Sequence, residues 1–257
     1  SSLNPHEADL VGVSVCYKIN EAYYIPVGHK EKTQLNKDLV LKKLKPILED
    51  PSIKKVGQNI KYDCIIFKNL GIELSSVEDT MLLSYTLDAG NNRHNMDILS
   101  ELHLGHKTIS YKDVVGTGKK QLNFSEVDLK SATEYAAEDA DITFRLYEIL
   151  SERVEEEKLE RIYEEFEKPM IKILSKLESN GIKVDDNYLK ELSNKFEDRL
   201  ISIEKEIYKI SGKKFNIGSP KQLGEIIYND LKIAKLKKTK KGSLATSAKI
   251  LDDLALT

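Results

Sequence analysis

Apolar and polar positions follow two different periods along the chain, and the change of period divides the chain into two parts. In the first part, short apolar segments predict β-strands at 9–17, 21–28 and 54–58. The first two strands are predicted to form a hairpin, and the third to lie parallel to one of them after a helical crossover. Apolar residues spaced three or four apart predict helices at 35–50, 60–70, 79–87, 96–104 and 131–150. Asp79 is predicted to cap the third of these helices.

The second part of the chain shows the helical period alone. This period predicts helices at 169–180, 188–211, 219–231 and 247–254. Ser219 is predicted to cap the third of these helices, with Pro220 as its first residue. Between the two parts, residues 152–168 are so densely charged that they predict a solvated helix or a connector. We therefore expect an α/β domain over residues 1–157 and an all-α domain over residues 158–257.

The composition is that of a soluble globular protein, with 32% charged and 40% hydrophobic residues and a net charge of −2. This net charge does not indicate a nucleic-acid partner, so any such binding must come from local patches. No apolar run is long enough to predict a membrane span, and we expect a cytoplasmic protein. The two cysteines form no disulfide framework or zinc pattern and are expected to be small buried residues. The five histidines show no ligand spacing and are expected at the surface.

Candidate chemistry lies on the helix predicted at 131–150. Tyr135 and Asp139 are four residues apart, so they share one face of this helix and could together hold a metal ion and a water molecule. Asp63 follows the third predicted strand, at the edge of the sheet where α/β folds place ligands, and Asn59 lies at the same exit. The alternative is an ordinary solvated acidic face. Two aspartates are also too few ligands for a site that holds two metal ions.

Several blocks of sequence, taken in order, resemble the 3′–5′ exonuclease domain of family A DNA polymerases of the bacterial DNA polymerase I type. These blocks are VGQNIKYD, EDTMLLSYTLDAGNNRHNMDIL, HKTISYKDVVGTGKKQLNF and YAAEDAD. The later blocks NGIKVD, FNIGSPKQLGEIIYNDL and LKKTKKGSLATSAKILDDLAL resemble the start of the polymerase domain, its helical thumb. The resemblance covers essentially the whole chain.

This resemblance implies an RNase H-like α/β fold, a mixed sheet flanked by helices, followed by an all-α thumb segment. It implies a proofreading exonuclease that uses two divalent metal ions, Mg²⁺ or Mn²⁺. The resemblance makes Asp63 and Asp139 metal ligands, and it makes Tyr135 the residue that positions the attacking water. Other positions match residues of the family near the single-stranded 3′ end of DNA, and these are Leu3, Gln58, Asn59, Tyr62, Arg93 and Phe124. Leu3 and Phe124 match apolar residues that pack on the terminal bases, although a lone aromatic such as Phe124 is also a common local packing anchor.

The sequence departs from the family in one respect. The family's first motif, Asp-x-Glu on a central strand, does not occur in these 257 residues. Without that strand, two strand edges would face a gap. Either the chain is a fragment whose first strand is not represented, which the retained carboxylates favour, or the gene product is truncated and its site degenerate. In both cases we expect the chain alone to have little nuclease activity and, without palm and fingers, no nucleotide addition.

A lysine-rich segment at 232–241 holds six lysines in ten residues. At the tip of a thumb it is expected to lie along the phosphates of a primer-template duplex, through Lys235, Lys237, Lys238, Lys240 and Lys241. The expected partner is therefore DNA, as a single-stranded 3′ end and as a duplex, bound by a monomer away from membranes. The expected location is the cytoplasm, at the bacterial nucleoid, with an organelle as the alternative. Two alternatives are a non-catalytic exonuclease module that serves as a DNA-binding scaffold and an RNase D-like exoribonuclease, which should lack the thumb-like segment.

Overall fold

The computed structural model describes residues 4–31, 34–233 and 244–256. The chain divides into two compact units, Ser1–Gly181 and Ile182–Thr257. This division lies later than residue 157 because the helix Lys168–Asn180 packs on the helix Ile60–Asn69, with an ion pair of 2.5 Å between Lys61 and Glu178. Compact units follow packing, and the domain boundary after residue 157 stays a prediction.

The strands of the first unit form two pairs. Strands β1 (Gly12–Lys18) and β2 (Glu21–Pro26) form the predicted antiparallel hairpin, which turns through Asn20 in a left-handed conformation (φ 63°). Strand β3 (Lys55–Gly57) pairs in parallel with β4 (Val77–Asp79). The prediction that β3 lies beside one of the first two strands is wrong within the described residues. Its partner β4 was not predicted, because three residues that include two carboxylates carry no strand period.

The mixed sheet expected of this fold is represented by one antiparallel and one parallel pair. The two pairs share no ladder in the part of the chain that the structure describes. Helix α6 (Leu129–Glu156), the longest described helix of this unit, packs against β1, β2 and β3 and so spans both pairs. The helix that carries Tyr135 and Asp139 is therefore positioned by both pairs of strands.

Six described helices of the first unit agree with predicted segments to within about six residues, and the short helices Tyr111–Val115 and Glu160–Ile162 lie between them. In chain order the helices are α1 (Lys37–Glu49), α2 (Ile60–Asn69), α3 (Thr80–Asp88), α4 (Met96–Leu104), α5 (Tyr111–Val115), α6 (Leu129–Glu156), α7 (Glu160–Ile162) and α8 (Lys168–Asn180). Side chains of Asn36, Asp79, Asn95 and Asp128 accept a backbone N–H bond at the start of four of these helices. A π-helical turn, Tyr163–Glu167, joins α7 to α8.

The main core of the first unit lies where α3, α4 and α6 meet. Fully or nearly fully buried apolar side chains fill it, and these are Leu83, Leu99, Ile142, Leu146, Leu150, Val154 and Tyr163. A second cluster packs α1 against the hairpin, and a third packs α5 against the start of α6. The apolar face of α6 thus holds the helix in place and leaves its other face for chemistry.

Two expectations about single residue types need correction. His29 is buried, with 5% of its surface exposed, because its Nε2 lies 2.7 Å from the Tyr24 hydroxyl and its Nδ1 lies 3.2 Å from the carbonyl oxygen of Val127. Both cysteines, Cys16 and Cys64, are free and only partly buried.

The second unit is helical. Its described helices are α9 (Asp186–Ser211), α10 (Pro220–Gly224) and α11 (Ala248–Ala255), and a π-helical turn at Glu225–Asp230 follows α10. Ser219 caps α10, and Pro220 is its first residue, as predicted. Over the described ranges of both units, no helix combines the length and the apolar character needed to cross a membrane.

Candidate active site

Tyr135 and Asp139 lie one turn apart on the same face of α6, and the Tyr135 hydroxyl interacts with the Asp139 carboxylate. One carboxylate oxygen of Asp139, Oδ1, is buried and has no hydrogen-bond partner in the described structure. Burial raises the pKa of Asp139 to about 7, and the bond from Tyr135 opposes this rise. Burial and the nearby carboxylate also raise the pKa of the Tyr135 hydroxyl, which therefore stays a neutral donor.

Asp63 provides a second, partly buried carboxylate in the first turn of α2. Burial, together with the charge of Asp79, raises the pKa of Asp63 to about 7. Tyr62 interacts electrostatically with Tyr111, and the Tyr111 ring lies 5.9 Å from that of Tyr135. Tyr111 therefore lies beside Tyr135 and within electrostatic range of Tyr62.

Phe124 lies in a cluster of aromatic side chains beside this pair. Its ring centroid is 5.9 Å from Tyr135 and 6.2 Å from Tyr111, the latter nearly parallel at 25°. Tyr24 and His29 contact its other side, at 6.4 Å and 5.7 Å. Phe124 is therefore a packing anchor, and its predicted role in base stacking stays a prediction. Tyr111 was missed in the sequence, although it keeps 45% of its surface exposed next to the site.

The turn between β3 and α2 carries Gln58 and Asn59. The side-chain amide of Gln58 is engaged at both ends, since its nitrogen donates to the carbonyl oxygen of His94 at 2.8 Å and its oxygen accepts from the Thr80 hydroxyl. Asn59 has an exposed side chain and a left-handed backbone (φ 59°, ψ 48°). Arg93 is exposed beside His94, so it lies at the rim of the same turn.

Two further acidic residues lie near Asp139 and were not predicted as site residues. Asp97, in the first turn of α4, accepts a bond of 2.8 Å from the Thr108 hydroxyl. Glu138 accepts from the Ile109 backbone N–H at 2.6 Å and lies 2.8 Å from Nε2 of His106. Both carboxylates contribute to the raised pKa of Asp139. Glu138 belongs to the YAAEDAD block. Its contacts with His106 and Ile109 depend on packing that the sequence does not show.

Some predicted site residues lie outside the described part of the chain. They are Leu3, Lys235, Lys237, Lys238, Lys240 and Lys241. Of the residues that the structure describes, no group of three or more His, Cys, Asp or Glu side chains could hold a metal ion.

Comparison with protein families identifies two matching regions. Residues 1–155 match the model of the 3′–5′ exonuclease of family A DNA polymerases, and residues 186–257 match the model of DNA polymerase family A. The second match covers the thumb-like segment that an RNase D-like enzyme should lack, which disfavours that alternative.

Individual relatives agree with the family models. The chain is 43% identical to the DNA polymerase I of Rhizobium leguminosarum and 42% identical to that of Pseudomonas aeruginosa, in both cases over 99% of this chain. It spans only 27% and 29% of the length of these two relatives. A solved structure, the POL domain of Pol1 from M. smegmatis in complex with DNA primer-template and dNTP, aligns with a TM-score of 0.65 and 25% identity. That alignment covers 91% of this chain and 36% of the other.

Proposed function

The chain belongs to the family A DNA polymerases of the bacterial DNA polymerase I type, and from this premise we propose that its first unit serves 3′–5′ exonucleolytic proofreading. The substrate would be the single-stranded 3′ end of DNA, and the reaction would be hydrolysis of the terminal phosphodiester. The observation that carries the proposal is the Tyr135–Asp139 pair, in which a buried carboxylate oxygen has no partner in the described structure. Such an oxygen is costly in a fold unless a ligand satisfies it.

The donor set fits a hard divalent cation in type but is incomplete in number. Asp63 and Asp139 are carboxylates whose raised pKa values reflect burial without a cationic partner. We propose that these two residues are metal ligands for Mg²⁺ or Mn²⁺. When bound, the cations would activate a water molecule and stabilise the leaving 3′ oxygen. The remaining ligands would come from an Asp-x-Glu strand, which these 257 residues do not contain, so the chain alone should hydrolyse DNA poorly.

The chain's own residues would orient the reaction. The neutral Tyr135 hydroxyl, held by Asp139, would position the attacking water. Exposed Asn59 and Arg93, together with Tyr62, would contact the last nucleotides. Leu3 and Phe124 would pack on the terminal bases. Gln58 would contribute indirectly to binding of the 3′ end, because both ends of its side-chain amide are already engaged with His94 and Thr80.

The second unit and the lysine-rich segment would bind duplex DNA. The M. smegmatis relative is a complex with DNA primer-template, which supports this partner for a chain of the same family. Lys235, Lys237, Lys238, Lys240 and Lys241 would contact phosphates without sequence preference. Replacement of all five by alanine should weaken duplex binding and flatten its salt dependence. An unchanged salt slope would contradict this role.

We propose a monomer that acts on DNA in the cytoplasm.

The nuclease proposal is tested by supplying the missing carboxylates. The chain is fused behind a strand that carries Asp-x-Glu, and a matched fusion carries Asn-x-Gln instead. With Mg²⁺ and a 5′-labelled single-stranded oligonucleotide, only the Asp-x-Glu fusion should trim the 3′ end. Asp139→Asn and Tyr135→Phe in that fusion should reduce trimming by at least about tenfold.

Three results would change this assignment. Robust trimming by the unfused chain would refute the predicted inactivity. Full activity of the Asp139→Asn fusion would refute the metal-ligand role of Asp139. DNA binding without trimming by any fusion would instead support the scaffold alternative.

A further inference from the structure

Asp79 serves the start of two helices at once. It is the last residue of β4 and caps α3 by accepting the Met81 backbone N–H at 2.9 Å. The same carboxylate accepts the backbone N–H of Asn59 at 3.0 Å and that of Ile60 at 2.9 Å. Only 1% of Asp79 is exposed. Capping α3 requires one such bond, so the other two bonds hold a different element, the start of α2.

Thr80 contacts the same turn from the next position. Its side chain is fully buried, and its hydroxyl lies 3.2 Å from the carbonyl oxygen of Gly57 and within bonding distance of the Gln58 side-chain oxygen. Together, Asp79 and Thr80 contact every residue from Gly57 to Ile60. The turn is therefore held by side chains that come from about twenty positions later in the sequence.

The turn depends on this support because its own residues do not supply it. Asn59 precedes α2 but makes no side-chain capping bond, and its backbone is left-handed. A Cβ atom at Gly57 would approach Ile60 to 2.9 Å, which shows how tightly the chain bends there. Because Asp79 takes the capping role, the Asn59 side chain is left exposed to solvent.

A further contact secures Asp79 itself. The Asp79 backbone N–H donates to the Tyr163 hydroxyl at 3.0 Å, and that hydroxyl donates to the buried carboxylate of Glu78 at 3.0 Å. Lys168 pairs with Glu78 at 2.7 Å. The supporting pair is thus anchored in the main core of the unit rather than in a loop.

We propose that Asp79 and Thr80 are positioning residues that fix the Gly57–Ile60 turn and thereby aim Asn59 and Asp63 at the DNA 3′ end. Asp63 lies one turn into α2, so its direction follows from how the first turn of α2 is held. This proposal rests on the proposed function, because the DNA 3′ end is the ligand that these side chains would meet.

The test compares isosteric variants for recognition of a free 3′ end. Thr80→Val removes the hydroxyl group, Thr80→Ser retains it, and Asp79→Asn removes one acceptor position and the charge. Thr86→Val is the matched control, since the Thr86 hydroxyl donates within α3 to the Leu82 carbonyl oxygen at 2.8 Å, away from the turn. The probe is oligothymidine of one length, linear or circularised, and the readout is the ratio of the two affinities. A general loss of folded protein lowers both affinities and leaves this ratio unchanged.

We expect the ratio to fall about tenfold in Thr80→Val and Asp79→Asn, the lower end of losses seen when groups that orient ligating side chains are removed. Thr80→Ser and Thr86→Val should keep the wild-type ratio. Amide hydrogen exchange should become faster at residues 57–63 in the two affected variants and stay slow in α6.

The outcomes separate this proposal from the proposed function. A wild-type chain that binds linear and circular oligomers equally would overturn both. A wild-type preference that persists in Thr80→Val, with or without faster exchange, would overturn the positioning role alone. If Asp79→Asn does not fold, the Thr80→Val and Thr80→Ser pair decides the question.

Discussion

Replacing Asp139 by asparagine should stabilise the folded chain at neutral and alkaline pH. Asp139 is a carboxylate whose pKa is raised from 3.8 to about 7, chiefly by burial, and whose Oδ1 has no partner in the described structure. Ionising it in the fold is therefore unfavourable, whereas in the unfolded chain it ionises freely in water. Asparagine has the shape of the protonated acid and carries no charge at any pH.

The magnitude follows from the shift in pKa. Each unit of pKa corresponds to about 1.4 kcal/mol, so the ionised carboxylate costs roughly 4 kcal/mol of folding free energy at about pH 8. The folded chain holds this proton more tightly than the unfolded chain does. The contribution of the protonated group is thus fully present below the unfolded pKa of 3.8 and is lost as the pH rises through about 7.

The assay is urea unfolding of both chains, without divalent cations, at several values between about pH 4 and pH 8. The advantage of Asp139→Asn should grow from below about 1 kcal/mol at the acidic end to about 4 kcal/mol at the alkaline end. Its buried amide NH₂ group adds a constant penalty of about 1–3 kcal/mol if it lacks a partner. The pH-dependent part of the difference is therefore the diagnostic quantity.

An exposed carboxylate provides the control. Asp113→Asn, on α5, should change stability by less than about 0.5 kcal/mol across the same range, because its side chain is exposed to solvent. A difference between wild type and Asp139→Asn that is the same at both ends of the range would refute the link between burial and charge at this site.

Three further predictions concern single side chains of the first unit. Tyr163→Phe should cost about 1–3 kcal/mol in unfolding free energy, because it removes a buried hydroxyl bonded to Glu78 and to the backbone of Asp79. Leu146→Ala should cost about 2–5 kcal/mol, because the side chain is fully buried in the main core and leaves a cavity. Tyr135→Phe should raise the pKa of Asp139 further, because the interaction of the Tyr135 hydroxyl with the carboxylate favours the ionised form, and carbon NMR of the carboxyl group would measure this pKa.

Matched controls exist for the first two of these changes. Tyr17→Phe removes a hydroxyl from a tyrosine that is 66% exposed, and Leu102→Ala shortens a leucine that is 55% exposed, so both should cost under about 0.5 kcal/mol. Equal losses for the buried and the exposed member of either pair would contradict the burial argument. A pKa of Asp139 that falls in Tyr135→Phe would show that the hydroxyl does not favour the ionised carboxylate.

The sequence by itself determined the local features of this protein. Helical periods located α4 at Met96–Leu104, and capping rules placed Asp79 at the start of α3, because both depend on residues within one or two turns of each other. The spacing of Tyr135 and Asp139 placed them on one face of α6 for the same reason. The family resemblance supplied the candidate roles of the site residues.

The tertiary structure alone decided which distant groups meet. The partner of β3 is a three-residue strand with no period of its own, and Asp79 caps α2 from 19 residues away. The sequence around His29 does not predict the aromatic cluster that buries this side chain. The pKa values of Asp63 and Asp139 belong to this second class as well. Desolvation depends on everything that packs around a carboxylate, and a pattern of neighbouring letters does not contain that information.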